Sequence, residues 1–360
     1  MAEVEIPKTH KACVYDKPGS ISAVVQDVET PTPGAGEVLI KLTHSGVCHS
    51  DLGVMTNTWV SLPYPTQPGQ IGGHEGVGTV VAMGPGTELS AIKVGQRVGI
   101  KWISATCGSC FPCLEGHDGV CFNQKVSGYY TPGTFQQYAI GPANYVTPIP
   151  DGLDSADAAP MLCAGVTSYS ALRKSGALSG QFVVLLGAGG GLGHLAAQLS
   201  SKGMAHRVIG VDSKSKKDLV LSSGAEHFIA LEDTPDIPEA VKKLTGGLGA
   251  HAVLVLTAAN PAYASAVDML RFGGRLVCVG IPEGEPVPIK GALPQILVAK
   301  ALSIVGVAVG DRKEAIECLD LAARGIVKVH YRTEKMDKLT EVFEQMHKGE
   351  LQGRVVLDLS

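Results

Sequence analysis

The chain of 360 residues is 45% hydrophobic and 18% charged, a balance that excludes a disordered protein. Its formal net charge of -4 offers no basic surface for nucleic acid or for an anionic membrane. Because the length exceeds what one ordinary hydrophobic core organises, we expect two domains.

Neither terminal nor internal segments predict export or membrane insertion. The N-terminal segment Met1–Ile6 is acidic and lacks an apolar run, so it does not read as a signal peptide. The most apolar stretch, Leu293–Val309, is interrupted by Lys300 and Gly306 and is too short to span a bilayer. We therefore expect a cytoplasmic protein with no membrane partner, in which nine cysteines serve metal binding rather than disulfides.

The first 150 residues predict a β-rich unit whose loops carry the chemistry. Apolar or alternating runs bounded by turn residues predict strands at Lys11–Tyr15, Glu37–Leu42, Val77–Met83 and Arg97–Trp102. Metal and catalytic side chains commonly lie on loops that such a scaffold holds in place.

One group of chemically active residues is spread along the chain. A single histidine is more often a packed or surface residue than a ligand, but glycine pairs flank His74 and Glu75 and allow a tight turn there. Cys48 lies 26 residues before His74, and Cys163 lies 89 residues after it. Two cysteines and one histidine that leave a fourth position open are a ligand set for catalytic zinc.

A second group is local and follows the spacing C-x2-C-x2-C-x7-C. Four thiolates within 15 residues can close a tetrahedron around zinc, which predicts a structural site; the residues are Cys107, Cys110, Cys113 and Cys121. The alternative, four buried cysteines with no common role, is disfavoured because they would have to cluster in one loop by chance. A zinc ribbon for nucleic acid is excluded because the neighbouring Glu115, His117 and Asp118 are not basic. Cys13, Cys278 and Cys318 have no predicted ligand role.

After about Pro160 the pattern alternates between strands and helices. The strand-like run Gln181–Leu186 precedes a turn composed of Gly187, Ala188, Gly189, Gly190, Gly191, Leu192 and Gly193, which leads into a helix. The turn matches G-x-x-G-x-x-G and not the usual G-x-G-x-x-G. Such a turn lets a pyrophosphate approach the backbone at the start of a helix.

The next strand supports a dinucleotide site. Arg207–Val211 ends at Asp212, where a dinucleotide fold places the carboxylate that binds the adenosine ribose. This carboxylate would repel a 2′-phosphate, so NAD is favoured over NADP. The lysines Lys214, Lys216 and Lys217 are equally compatible with a solvated helix start and with cofactor contacts.

Further alternation predicts a sheet covered by helices on both faces. The predicted strands are Ala252–Leu256, Arg275–Val279 and Ser303–Val307, and the predicted helices are Ala262–Met269, Lys313–Ala323 and Leu339–His347.

Together these motifs resemble the zinc-dependent medium-chain alcohol dehydrogenases, most closely the yeast and fungal branch. The motifs that carry the resemblance are Gly46–Asp51, Gly72–Gly76, the four-cysteine loop and Leu162–Gly165. The resemblance implies an α/β plus β-rich fold, with a GroES-like catalytic domain at residues 1–160 and 305–360. It implies a Rossmann coenzyme domain, built on a doubly wound parallel sheet, at residues 161–304.

The resemblance also implies roles for individual residues. Cys48, His74 and Cys163 would bind a catalytic zinc ion, with Glu75 as an occasional fourth ligand. Asp51 would accept a hydrogen bond from the other ring nitrogen of His74. The four-cysteine loop would hold a structural zinc ion.

The remaining implied roles concern coenzyme and substrate. His49 and Arg354 would contact the coenzyme pyrophosphate, and Ser50 would accept the proton of the alcohol. Trp59 and Trp102 would line the substrate pocket, although simple core filling explains them equally well. The full set expected to bind coenzyme is His49, Gly187, Gly189, Gly190, Gly191, Leu192, Gly193, Asp212, Lys217 and Arg354.

The implied activity is the interconversion of alcohols and aldehydes or ketones by hydride transfer with NAD(H), in a homotetramer or homodimer. An alternative is a specialised secondary-metabolite alcohol dehydrogenase or aldehyde reductase that acts on a larger substrate. Two departures from the family pattern bear on this choice. Gly53 stands where yeast-type enzymes carry a proton-relay histidine, so we expect the relay to end in water or in another group. The loop Met55–Gln70 also differs, and ethanol is not assumed as the substrate.

Overall fold

The computed structural model describes residues 5–59, 62–282, 285 and 287–360. The first four residues of the acidic N-terminus and positions 60 and 61 of the divergent loop lie outside the described residues. Contacts divide the chain into two compact units. The first contains Met1–Cys163, Asp311–Ala323 and Tyr331–Ser360, and the second contains Ala164–Gly310 and Arg324–His330.

The first part of the chain is mainly strands, and from Ser155 onward strands and short helices largely alternate. The strands are β1 (Thr9–Tyr15), β2 (Ala23–Glu29), β3 (Glu37–Val47), β4 (Gln70–Ile71), β5 (Gly76–Met83), β6 (Arg97–Ile100), β7 (Ile103–Ala105), β8 (Lys125–Val126), β9 (Tyr138–Pro142), β10 (Thr147–Pro148), β11 (Phe182–Leu186), β12 (Arg207–Asp212), β13 (His227–Ala230), β14 (Ala250–Val255), β15 (Leu270–Cys278), β16 (Ser303–Gly306), β17 (Tyr331–Lys335) and β18 (Arg354–Asp358). The α-helices are α1 (His49–Thr56), α2 (Phe111–Leu114), α3 (Ser155–Pro160), α4 (Val166–Ser175), α5 (Gly193–Gln198), α6 (Lys217–Ser222), α7 (Ile237–Leu244), α8 (Asn260–Ala266), α9 (Pro294–Lys300), α10 (Arg312–Ala323) and α11 (Leu339–His347).

The first unit is built on a largely antiparallel sheet in which β3 is the central strand. The order is β10-β6-β5-β3-β18-β17, and β9 also pairs with β3. The antiparallel register places Ser45 of β3 opposite Gly76 of β5. As a result, the chain leaving β3 at Cys48 and the chain entering β5 from His74 lie at the same edge of the sheet.

The second unit contains a six-stranded parallel sheet with the order β13-β12-β11-β14-β15-β16. This is the strand order of the Rossmann fold. Side chains of β11 and β14 are almost fully buried, as expected for strands covered on both faces. Leu186 pairs with Val211, so the glycine-rich turn after β11 lies beside the carboxyl end of β12.

The observed fold agrees with the expected fold class, a β-rich unit with a Rossmann-type unit. The predicted division placed residues 161–163 in the second domain and residues 305–310 and 324–330 in the first, whereas contacts do the reverse for all three segments. Arg324–His330 in particular groups with the second unit. The physical reason is a pair of hydrogen bonds: Gln198 Nε2 donates to the Lys328 carbonyl over 2.9 Å, and the Lys328 N–H donates to Gln198 Oε1 over 3.0 Å.

Among the described residues, no helix has both the length and the apolar character required to cross a membrane.

Candidate metal centre and coenzyme site

The first unit brings four potential metal ligands into one buried cluster. The ligand atoms of Cys48, His74, Glu75 and Cys163 all lie within 4.8 Å of one another. The Sγ atoms of the two cysteines are 3.9 Å apart. His74 and Glu75 are completely buried, and the cysteines are nearly so. These residues, predicted from three separate parts of the sequence, therefore meet at one point.

Local structure explains how each ligand is presented. Cys48 immediately precedes helix α1, while His74 and Glu75 lie in the turn that leads into β5. Gly73 adopts a φ of 94°, a left-handed conformation that favours glycine at this turn. Cys163 lies on a π-helical turn, Met161–Gly165, between α3 and α4. Such turns widen a helix locally and occur frequently at functional sites.

Asp51 connects the start of helix α1 to His74. Its Oδ2 accepts a hydrogen bond from the Cys48 N–H at 2.9 Å, and its Oδ1 lies 2.8 Å from His74 Nδ1. The Asp51 side chain is 2% exposed, so these bonds are shielded from water. The carboxylate orients the imidazole with Nε2 directed away from it, the contact that the family resemblance implied.

Glu75 forms a buried ion pair with Arg354 of β18. Gly46 leaves the space for this carboxylate, since a β-carbon at that position would lie 1.9 Å from Glu75 Oε2. The sequence analysis expected Arg354 to contact a pyrophosphate and did not anticipate its pairing with Glu75. The two residues are 279 positions apart, so no local pattern could reveal the contact.

The charges in the cluster perturb one another strongly. The neighbouring Cys163 thiol, together with His74 and Arg354, holds the pKa of Cys48 well below its ordinary value despite burial. Burial disfavours a charged His74, but the Asp51 carboxylate and Cys48 outweigh it and raise the pKa of the imidazole. The Cys48 charge and burial raise the pKa of Cys163. These shifts show that the two sulfurs, the imidazole and the Arg354 guanidinium lie close enough to perturb one another's protonation.

The donor set fits a zinc ion. His74 Nε2 is buried and has no hydrogen-bond partner, which would cost about 1–3 kcal/mol if the atom remained unsatisfied. Two sulfurs and one imidazole nitrogen are the soft and intermediate ligands that zinc prefers over oxygen-seeking cations. Tetrahedral zinc with bonds of about 2.3 Å to sulfur requires a separation of roughly 3.8 Å between two sulfurs. The observed separation of 3.9 Å agrees with this requirement.

The four-cysteine loop forms a second compact cluster in the same unit. Cys110 Sγ lies 3.5 Å from Cys113 Sγ and 3.7 Å from Cys121 Sγ, and Cys121 Sγ lies 3.6 Å from Cys107 Sγ. None of these cysteines forms a disulfide. The backbone N–H of Ser109, with other N–H groups, lowers the pKa of Cys107 to about 5. The geometry provides four ligands and matches a closed structural zinc site.

Two indole rings stand beside the first cluster. The ring centroid of Trp102 is 4.8 Å from that of His74, in an edge-to-face arrangement. Trp59 packs edge-to-face on Trp102 with a centroid distance of 5.6 Å. Both rings are partly buried, and Trp102 is the ring that contacts the imidazole. Ser50, whose Oγ lies 3.7 Å from Cys48 Sγ, is half-buried, while His49 at the start of α1 is exposed.

The second unit carries the expected coenzyme residues around the turn after β11. Gly187 has a φ of 86°, and Gly193 permits a close approach, since a β-carbon there would lie 2.1 Å from the Gly187 oxygen. The Gly189 N–H donates to Asp212 Oδ2 over 2.8 Å, which fixes the carboxylate beside the turn. The loop residues Gly190, Gly191 and Leu192 complete the turn before α5 begins.

Among the three lysines that follow β12, Lys216 forms the ion pair with Asp212. Lys216 Nζ lies 3.6 Å from Asp212 Oδ1, and its side chain is 23% exposed. Lys217 begins helix α6 and is exposed. Helical spacing could have indicated Lys216, because it lies four residues after Asp212 and a pair at this spacing shares one face of a helical turn.

Known proteins similar to this chain share both units. The family model described as alcohol dehydrogenase GroES-like domain matches residues 34–151, and that described as zinc-binding dehydrogenase matches residues 191–324. The chain is 61% identical to "Alcohol dehydrogenase 2" of Emericella nidulans, with all of both chains covered. It is 40% identical to "Alcohol dehydrogenase" of Schizosaccharomyces pombe, with 99% of each covered.

Solved structures of an acetophenone reductase and an alcohol dehydrogenase are also similar to this chain. An acetophenone reductase from Geotrichum candidum in complex with NAD superposes with a TM-score of 0.83 and 29% identity, covering 98% of both chains. An alcohol dehydrogenase from Aeropyrum pernix superposes with a TM-score of 0.86 and 29% identity, covering 97% of this chain and 99% of the other.

Proposed function

This chain belongs to the zinc-binding alcohol dehydrogenase family, and on that premise we propose that it interconverts alcohols and aldehydes or ketones by hydride transfer with NAD(H). The observation that carries the proposal is the buried cluster of Cys48, His74 and Cys163, which offers two sulfurs and an unpartnered imidazole nitrogen to one cation.

Under this proposal, Cys48, His74 and Cys163 hold a catalytic zinc ion, and the four-cysteine loop holds a structural one. When bound in the first cluster, zinc acts as a Lewis acid that favours loss of the alcohol proton and polarises a carbonyl oxygen. Asp51 keeps His74 Nδ1 engaged so that Nε2 is available to the metal. Glu75 remains paired with Arg354 and is held ready as an additional ligand.

The chain's own side chains handle the substrate proton and the substrate's position. Ser50 Oγ would accept the alcohol proton while its own hydroxyl proton passes on to water, and its place 3.7 Å from Cys48 Sγ puts the hydroxyl beside the cluster. The indoles of Trp59 and Trp102 bind the carbon side of the substrate and exclude water from the imidazole side of the cluster. Arg354 counters the negative charge of Glu75 and Cys48.

The coenzyme occupies the glycine-rich turn of the second unit. When bound there, NAD(H) would supply the hydride acceptor for alcohol oxidation and the hydride donor for the reverse reaction. The turn between Gly187 and Gly193 contacts the pyrophosphate, with His49 and Arg354 as further contacts. Asp212 receives the ribose hydroxyls, and its negative charge favours NAD over NADP. Lys217 borders this site, and Lys216 screens the Asp212 charge.

A larger, specialised substrate is not favoured. The relative with 61% identity over the whole chain is named simply as an alcohol dehydrogenase. We place the enzyme in the cytoplasm and in a homodimer or homotetramer. Self-association is supported by the open edge of the parallel sheet, where Ile304 of β16 and Val298 of α9 are exposed.

A substrate panel tests the proposal. Zinc is quantified in the purified protein, and the absorbance of NADH or NADPH is followed with short, branched and aromatic alcohols and with the matching carbonyl compounds. We expect around two zinc ions per chain, oxidation of short alcohols with NAD, and weak activity with NADP. A protein that lacks zinc or turns over none of these substrates would refute the proposal.

A further inference from the structure

Gly53 lies in the interior of helix α1, where glycine is unfavourable because it gains no side-chain packing and loses much backbone freedom. A packing reason is visible in the structure. A β-carbon on Gly53 would lie 2.7 Å from Cδ1 and 2.7 Å from Nε1 of Trp59. Contacts this short do not occur between real atoms, so any side chain at this position must displace the indole.

The chain after helix α1 holds the indole against Gly53. Asn57 ends the helix with a φ of 57°, a left-handed conformation that asparagine tolerates. The Thr58 N–H then donates to the Gly53 carbonyl over 3.1 Å, which turns the chain back across the helix. Asn57 Oδ1 also accepts from the Thr66 N–H at 2.8 Å. The backbone around Trp59 is therefore anchored on both sides.

The seated indole reaches the metal cluster through one further ring. Trp59 packs on Trp102, and Trp102 packs on His74. Both indoles are partly exposed, Trp102 lies against the imidazole and Trp59 lies against Trp102, so a shift of Trp59 changes the packing next to the cluster. That packing depends on the absence of a side chain at residue 53.

We infer that Gly53 is a specificity-determining position, which admits the Trp59 indole and thereby narrows the site for small, unbranched alcohols. This inference rests on the proposed function. Residue 53 is also where the chain departs from the yeast-type pattern, and a β-carbon there would have to displace the Trp59 indole from its present place. The indole occupies the space where a relay histidine would start.

The protein offers a direct spectroscopic test because its only two tryptophans are Trp59 and Trp102. Close indole pairs produce an exciton couplet in the far-ultraviolet circular dichroism, so the part of the couplet that the zinc-loaded wild-type enzyme has and Trp59→Ala lacks reports on this contact. We expect Gly53→Ala to lose most of the couplet. We also expect the ratio of kcat/KM for ethanol to that for benzyl alcohol to fall by roughly tenfold.

A matched control is Gly203→Ala, where a β-carbon would meet only Ile326 Cγ2 at an ordinary 3.8 Å. This variant should keep both the couplet and the substrate ratio. The double variant Gly53→Ala/Trp59→Ala should match Trp59→Ala in substrate ratio, because the alanine at 53 has no indole to displace. If Gly53→Ala fails to fold, the double variant must recover folding.

Retention of the wild-type couplet and substrate ratio by Gly53→Ala would overturn the inference, as would a double variant that still fails to fold. The couplet is measured without substrate, so the test of Gly53 can be distinguished from the test of alcohol dehydrogenase activity. If the wild-type protein is inactive on all alcohols and Gly53→Ala still loses the couplet, the proposed function is refuted, but the contact between Gly53 and Trp59 remains supported.

Discussion

At the scale of single residues, Asp51 combines two tasks in one carboxylate. One oxygen accepts the Cys48 N–H at the start of α1, and the other lies against His74 Nδ1. The backbone of one ligand and the ring of another are thus held by the same buried group. Hydrogen bonds of this kind to a metal-binding imidazole commonly contribute 10- to 100-fold to metal affinity, a rough range.

The first prediction concerns Asp51→Asn. The amide can still accept one hydrogen bond but carries no charge to hold the imidazole, so zinc affinity of the catalytic cluster should fall by about 10- to 100-fold. Competition with a chelator, followed by zinc analysis, measures this change. Asp27→Asn serves as the control, since Asp27 forms only an exposed pair with Lys11. Equal zinc retention by Asp51→Asn and the control would contradict the prediction.

Sequence reasoning at this scale succeeded where residue type and local spacing carry the chemistry. The thiols, His74 and the glycines around it could be recognised without coordinates. The pairing of Glu75 with Arg354 could not, because it depends on β18 lying beside β3 in the sheet. The packing of Trp59 on Gly53 was hidden for a similar reason, since it depends on the left-handed turn at Asn57.

At the scale of elements, the parallel sheet of the second unit ends in an unprotected strand. β16 pairs with β15 on one side, and among the described residues no strand pairs with its other side. Ile304 is exposed on β16, and Val298 is exposed on the helix before it. Open strand edges with apolar residues commonly pair with another chain.

The second prediction follows from this edge. Ile304→Lys places a charge on the strand and should raise the dissociation constant of the proposed homo-oligomer by at least about tenfold. Analytical ultracentrifugation over a range of concentrations measures the shift. Leu231→Lys is the comparison, because Leu231 is also exposed but follows β13 at the opposite edge. An unchanged oligomer in Ile304→Lys would exclude this edge as the interface.

The elements differ in how clearly the sequence reveals them. Strand β12 and helix α11 were predicted within one residue, because their apolar spacing is regular. Helix α4 was missed because its sequence, rich in serine and threonine, is buried by tertiary packing and not by an apolar stripe. Helix α7 had a usable signal that was overlooked: Asp236 accepts a hydrogen bond from the Glu239 N–H, as a capping residue does.

At the scale of the whole molecule, a buried lysine of the first unit should make the free energy of unfolding depend on pH. Lys101 is 1% exposed, donates to the Ile103 carbonyl and lies 3.6 Å above the ring of Tyr145. Burial lowers the pKa of Lys101 to about 7, partly opposed by Asp118. Arg312 and Asp311 of the chain around α10 also act on it, with opposite signs.

The third prediction uses the sign of this shift. Since the folded pKa is below that of the unfolded chain, the unfolded state binds more protons between about pH 7 and pH 10. Lys101 therefore makes the free energy of unfolding fall as pH decreases through this range, by up to about 1.4 kcal/mol per pH unit. Lys101→Met should remove that contribution.

Denaturant unfolding of Lys101→Met and the wild-type protein at several pH values checks this. The advantage of the variant should grow as the pH is lowered from about 10 to 7. Lys93→Met provides the control, because Lys93 is an exposed lysine of the same unit. A stability difference between Lys101→Met and the wild-type protein that does not vary with pH would contradict the expected charge burial.

We expect one cation held by Cys48, His74 and Cys163 to be required for alcohol oxidation. The most direct measurement compares Cys163→Ala with Cys318→Ala, an identical change at a buried cysteine outside both clusters. Zinc content and NADH formation are determined on the same samples. We expect Cys163→Ala to keep about half of its zinc and to lose at least about a thousandfold in kcat/KM, while Cys318→Ala retains both. Full zinc content and wild-type turnover in Cys163→Ala would contradict this expectation.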